Sequence, residues 1–105
     1  MSEYLDDVQR YCPDANRDAV VGIVKHLGIA LKSQNASLVA CSSKIELLRV
    51  RESWCKRKLG LTASDDELDK AIKEICGIMK DDARKQRVTF YYLLAEKYKK
   101  LGDIA

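Results

Sequence analysis

The chain has 105 residues, 47% of them hydrophobic and 33% charged. This is the composition of one globular domain, not of a disordered or fibrous segment. The formal net charge of +3 is too small to demand a nucleic-acid partner. No apolar run approaches the roughly 20 residues of a membrane span, and the acidic start MSEYLDDVQR has no apolar stretch of the kind a secretory signal carries.

Apolar residues recur at helical spacing through most of the chain, without period-2 alternation. The expected fold is all-α: a single domain, residues 1–105, folded as a compact bundle of four to five helices at about 3–11, 15–32, 44–59, 65–80 and 83–101. The first helix has Ser2 as its expected N-cap, and Glu3, Asp6 and Asp7 suit the positive end of its dipole. It stops because Cys12 precedes Pro13 and is pushed away from helical geometry.

In the second helix Val20, Ile23, Val24, Leu27, Ala30 and Leu31 make one apolar face. Gly28 lies on the opposite face, so the helix is expected to run through it, while an end at Gly28 stays open. SQNASLVACSS then forms a connection. In the third helix Ser43 and Glu46 form a capping box, and Gly60 is a natural residue to follow the last turn. Ser64 and Glu67 repeat the box at the fourth, whose inner stripe is Leu68, Ala71, Ile72, Ile75, Cys76 and Met79. Asp66 with Lys70 and Asp69 with Lys73 are expected surface pairs on its outer face. The fifth helix takes Asp81 or Asp82 as N-cap and Gly102 as its stop.

SEYLDDVQRYCPDA, VRESWCKRKLGL and RVTFYYLLAEKY together resemble a family of small bacterial proteins, Domain of Unknown Function 2853, over nearly the whole chain. The resemblance implies a compact helical domain in a bacterial cytoplasm. It implies no reaction, substrate or cofactor, and it carries over no functional residue.

The four cysteines, Cys12, Cys41, Cys55 and Cys76, include no C-x-x-C pair for zinc or redox work. A cytoplasmic protein with four reduced, mostly buried thiols is expected. His26 has no catalytic partner by motif, and the acid pairs Asp6/Asp7, Asp65/Asp66 and Asp81/Asp82 sit at helix starts, where the dipole explains them. The expectation is therefore not an enzyme, with no cofactor and no metal. Cys55, with Lys56 beside it, is the one candidate for a reactive thiol.

Two readings of function remain. RVTFYYLLAEKY has Val88, Tyr91, Leu94, Ala95, Tyr98 and Leu101 on one stripe, and Phe90 and Leu93 extend it beyond a normal core face. This favours a protein-interaction module, with the partner either another protein or a second copy in a homodimer, and Phe90 and Leu93 as the interaction surface. The alternative is nucleic-acid or anion binding through the basic faces of the helices at 44–59 and 83–101, with Arg51, Lys58, Arg84 and Arg87 as the contacts. Arg51 falls amid Leu47, Leu48, Trp54 and Cys55 on an ideal wheel. It is either such a contact, a member of an internal ion pair, or a cation lying over Trp54.

Overall fold

The computed structural model describes residues 2–33 and 36–104; the side chain of Ser2, the expected cap of the first helix, lies outside the described set. The chain is all-α. Its helices are α1 (Ser2–Gln9), α2 (Arg17–Leu27), α3 (Lys44–Arg49), α4 (Asp65–Ile78), α5 (Arg87–Lys97) and α6 (Leu101–Ile104). A 3-10 stretch, Gly28–Lys32, follows α2, and a π-helical stretch, Val50–Lys58, continues α3.

Helix starts follow local chemistry. Asn16, Ser43 and Ser64 each accept a hydrogen bond from the backbone N–H three residues on, satisfying donors that a first turn leaves open. Helix α2 does not run to Lys32. It ends at Leu27 because Gly28 takes φ 47°, and its N–H closes onto the Val24 carbonyl; positive φ costs glycine little.

The expected fifth helix is corrected at both ends. Residues 81–86 are not helical, and Gln86 occupies the N-cap position. Asp82, an expected cap, is held instead by Arg10 and by the Tyr11 hydroxyl. The backbone of 85–87 pairs with the connection before α3: Val39 N–H donates to the Lys85 carbonyl and Arg87 N–H to the Ser37 carbonyl, each at 2.8 Å. At the other end Lys99 takes φ 57°. Lys100 N–H reaches the Ala95 carbonyl and Lys99 N–H the Glu96 carbonyl, the pairing of a Schellman stop. Gly102 therefore lies inside the separate helix α6, not at a helix end.

Helix α5 is the centre of the bundle, in contact with α1, α2, α4 and α6. Its first nine residues, Arg87 to Ala95, are all buried. A helix apolar around its whole circumference has to be covered on every side, and here the same chain covers it. Phe90 is 0% exposed and Leu93 6%. Trp54 stacks on Tyr91 with centroids 4.4 Å apart and donates its indole N–H to the Tyr91 carbonyl at 3.1 Å, so its polar handle is satisfied within the core.

Arg87 is the buried cation of this core. Its Nε donates to the Ala36 carbonyl at 2.6 Å, Nη1 to the Tyr91 hydroxyl at 3.1 Å, and Nη2 to the Leu38 carbonyl at 3.0 Å and to the Glu46 carboxylate. Burial opposes its charge, but Tyr91 and Glu46 outweigh that and leave its pKa raised. A second buried polar link joins α1 to α5, where the Thr89 hydroxyl donates to the Asp7 carboxylate and Arg10 bridges Asp7 and Asp82.

The expectation of four reduced thiols is corrected as well. Cys41 and Cys76 form a disulfide, with Cα atoms 6.0 Å apart, and only Cys12 and Cys55 are free. The bridge ties the connection before α3 to the last turns of α4.

The disulfide spans 35 residues, and loop-closure entropy gives such a bridge about 3–4 kcal/mol. Urea unfolding with and without dithiothreitol should show a loss of that order, and Cys41→Ala should lower stability similarly and remove the effect of reductant. Arg87→Met leaves the largely buried Glu46 carboxylate with only Arg49, 3.5 Å away, and should cost about 3 kcal/mol in the same assay; adding Glu46→Leu should recover part of that loss.

Candidate functional site

The 44–59 region does not wind as an ideal α-helix. Leu59 N–H bonds to the Trp54 carbonyl, five residues back, at 2.9 Å, and Leu61 N–H closes the end onto the Cys55 carbonyl, with Gly60 at φ 67°. Wider π winding turns each side chain less than 100° from the last. The residues after Val50 therefore leave the positions an α-helical wheel assigns them. Trp54 and Cys55 still face the core. Arg51 does not lie on Trp54.

Arg51 sits among carboxylates. Its Nε donates to Glu52 at 2.8 Å, Nη1 meets Asp69 at 3.1 Å, and Nη2 stands 3.6 Å from Asp65. Lys56 joins the same group, 2.9 Å from Glu52 and 2.6 Å from Asp65. The guanidinium pKa is raised, by Glu52 first and then Asp69 and Asp65 against some desolvation, while Lys56 and Arg51 lower that of Glu52. Asp69 thus serves Arg51 across the helix pair, where sequence spacing suggested Lys73. Lys58, the other expected anion contact on this helix, is exposed and lies near His26. Desolvation and then the Lys58 charge lower the His26 pKa. The ring also leans on Trp54 at 5.3 Å.

The remaining two expected anion contacts do come together. Arg84 and Arg87 line one cavity of about 510 Å³, with Arg49 and Lys85, between the connection before α3, α3 itself and the turn before α5. Arg87 forms part of its floor and is fully engaged by protein acceptors. On the other side of α3 a second cavity, about 360 Å³, is lined by Lys44, Leu47, Leu48, Arg51, Asp69, Ile72 and Lys73.

Beside that second cavity lies an apolar surface that no sequence motif points to. Ile45 is 71% exposed and Leu48 46%, one turn apart on the outer face of α3. The wheel places Leu48 with Leu47, Trp54 and Cys55, yet it is half exposed. The signal was present: at 100° per residue Ile45 lies about 160° from Leu47, too far for one buried face. In contrast, Phe90 and Leu93, the expected interaction surface, are enclosed by this chain and are not a surface.

Neither free thiol is poised to react. Burial pushes the Cys55 thiol up to about 12, with Asp69 adding to the effect. Cys12 rises to about 11 through desolvation and through Glu96, to whose carboxylate it donates at 3.4 Å. Among the described residues no group of three or more His, Cys, Asp and Glu could hold a metal ion. Among the described residues no helix is long and apolar enough to cross a membrane.

A raised thiol pKa favours the neutral form of the folded protein. The stability it contributes is complete below the ordinary value of 9.0 and is lost as pH climbs through about 11 for Cys12 and 12 for Cys55. Iodoacetamide on the native, oxidised protein at pH 8 should meet a Cys12 thiolate fraction of about one in a thousand, and labelling should be far slower than for free cysteine. Cys12 should react first as pH rises, and Cys55 only on unfolding. Mass spectrometry of the labelled peptides checks the order; rapid labelling of native Cys55 would contradict it.

A family model described as a protein of unknown function, DUF2853, matches residues 3–102. The match covers nearly the whole chain, and the chain belongs to that family. A search of curated proteins finds no match.

Proposed function

We propose that this DUF2853 domain is a protein-interaction module, and that its docking face is the outer side of α3. One observation carries the reading: Ile45 and Leu48 stand exposed, one turn apart, beside a cavity walled by Leu47 and Ile72. Covering an exposed aliphatic side chain contributes about 1.5–3 kcal/mol, and adjacent ones on a polar surface mark contact sites.

Charge selects the occupant. Lys44 and Lys73 rim the cavity, and neither has an ion-pair partner among the described residues. The fitting partner is an amphipathic helix whose apolar stripe is flanked by carboxylates. A second copy would bring the same lysines against these, which costs affinity at a self-complementary contact. The homodimer reading rested on Phe90 and Leu93, and that support is gone. The domain is read as a binder and not an enzyme because its free thiols are held protonated and its histidine faces a lysine.

The test compares baits. Wild type, Ile45→Ser/Leu48→Ser and the remote Arg57→Gln are used to capture proteins from a lysate of the source organism. A species retained by wild type and Arg57→Gln but lost with the double serine variant supports the reading. Equal capture by all three overturns it. Sedimentation showing a reversible dimer abolished by Leu48→Asp would overturn the heterologous partner in favour of a second copy.

A further inference from the structure

The basic cavity on the other side of α3 goes beyond the docking reading and stands without it. Four cations border it, Arg49, Arg84, Lys85 and Arg87, against one carboxylate, Glu46. Their engagement differs. Arg87 is bound at the floor by four protein acceptors, and it holds Glu46, whose other oxygen is 3.5 Å from Arg49. The one acid in the cavity is therefore already shared between two guanidinium groups. Lys85 donates to the Asp82 carbonyl at 2.8 Å, and its charge adds to that of Arg10 in lowering the Asp82 pKa without a direct ion pair. Arg84 has no ion-pair partner among the described residues, and the Arg49 side chain is largely exposed. Arg84 also borders the neighbouring cleft, lined by Asp7, which Arg10 and Thr89 occupy, and by Glu3, with which Arg84 forms no ion pair.

This distribution is unlike a solvated charge run. Several cations elsewhere are neutralised in place: Arg51 and Lys56 by Glu52, Asp65 and Asp69, and Arg10 by Asp7 and Asp82. Here Arg84, Arg49 and Lys85 stand together around one concavity, whose volume is within the range of small-molecule sites, about 300–1,000 Å³. Two accessible guanidinium groups offer planar forks that match phosphate oxygens two at a time. The Ser43 hydroxyl, which accepts from Glu46 N–H, keeps its own proton to donate.

We infer that this cavity binds a small phosphate-bearing molecule, with Arg84 and Arg49 as its gripping residues, Lys85 as an added charge, and Arg87 as the fixed floor that holds Glu46 away from the ligand. A nucleic-acid strand is the lesser fit, because the cations ring a pocket and do not form a stripe along the surface.

The experiment is an NMR titration of the intact, oxidised protein with inorganic pyrophosphate at constant ionic strength. The expected result is saturable shifts confined to the amides of residues 36–43, 49 and 83–87. Arg84→Gln and Arg49→Gln, both surface changes, should each weaken binding about tenfold or more, the scale of losing a charge-assisted pair. Arg57→Gln, on the far basic run, should leave it unchanged. Absence of saturable shifts overturns the proposal. So does equal weakening by Arg57→Gln, which would show only diffuse charge. Tighter binding of a single-stranded oligonucleotide with shifts spread over residues 50–58 would replace the pocket with a nucleic-acid surface and would also overturn it.

Discussion

The position of Arg87 is the constraint on which much of the remaining structure depends. A guanidinium this deep is tolerable only if its N–H groups find acceptors. Those acceptors come from three separate parts of the chain: the carbonyls of Ala36 and Leu38, the hydroxyl of Tyr91, and the carboxylate of Glu46. One side chain therefore fixes the connection before α3, the first turn of α3 and the first turn of α5 relative to one another. Glu46 shows the trade involved. Its backbone N–H is capped by Ser43, as the local sequence suggests, but its carboxylate turns to Arg87. The demand of a buried charge overrides the reciprocal half of the capping box.

Much of the fold was legible because it is written locally. The caps at Ser43 and Ser64 and the inner stripe of α4 needed only spacing and side-chain chemistry. What failed was nonlocal. Asp82 reads as a cap and is instead claimed by Arg10 and Tyr11, some 70 positions earlier in the chain. Residues 85 and 86 read as helix and are instead drawn, with the N–H of Arg87, into backbone pairing with residues 37–39. The π winding after Val50 alters the angular period, so a wheel drawn at 100° drifts along the stretch and does not report that Asp65 and Asp69 of α4 reach Arg51. The Cys41–Cys76 bridge depends on two Cα atoms approaching to 6.0 Å across 35 residues, and no spacing rule reports such an approach.

The candidate site was legible in a particular and limited way. Arg84 and Arg87 could be named from the sequence, because basic runs are visible there. Which cations stay uncancelled could not, because that depends on where carboxylates from other helices arrive. Arg51 looked like the more exceptional residue and proves to be neutralised by Glu52, Asp65 and Asp69. Arg49 carries no distinguishing signal in the sequence and lines the cavity. The breadth of the apolar arc on α5 was read correctly as more than one face. Periodicity reports that an arc must be covered, however, and not whose atoms cover it; burial of Phe90 and Leu93 by α5's neighbours answers that within one chain.

Helix α3 consequently divides two surfaces of different character. On one side uncancelled charge rings a cavity whose floor is the buried arginine; on the other, Ile45 and Leu48 stand beside a cleft rimmed by lysines. Both surfaces are held in place by fastenings that lie beneath or beside α3, namely Arg87–Glu46 at its first turn and the disulfide just before it. Because Glu46 belongs to α3 and Arg87 to α5, any displacement of α3 that separates them leaves a charge buried without its partner. The helix is thus resisted electrostatically from below while its outer face is free. A rigid element with an uncovered face suits recognition, since little ordering has to accompany binding.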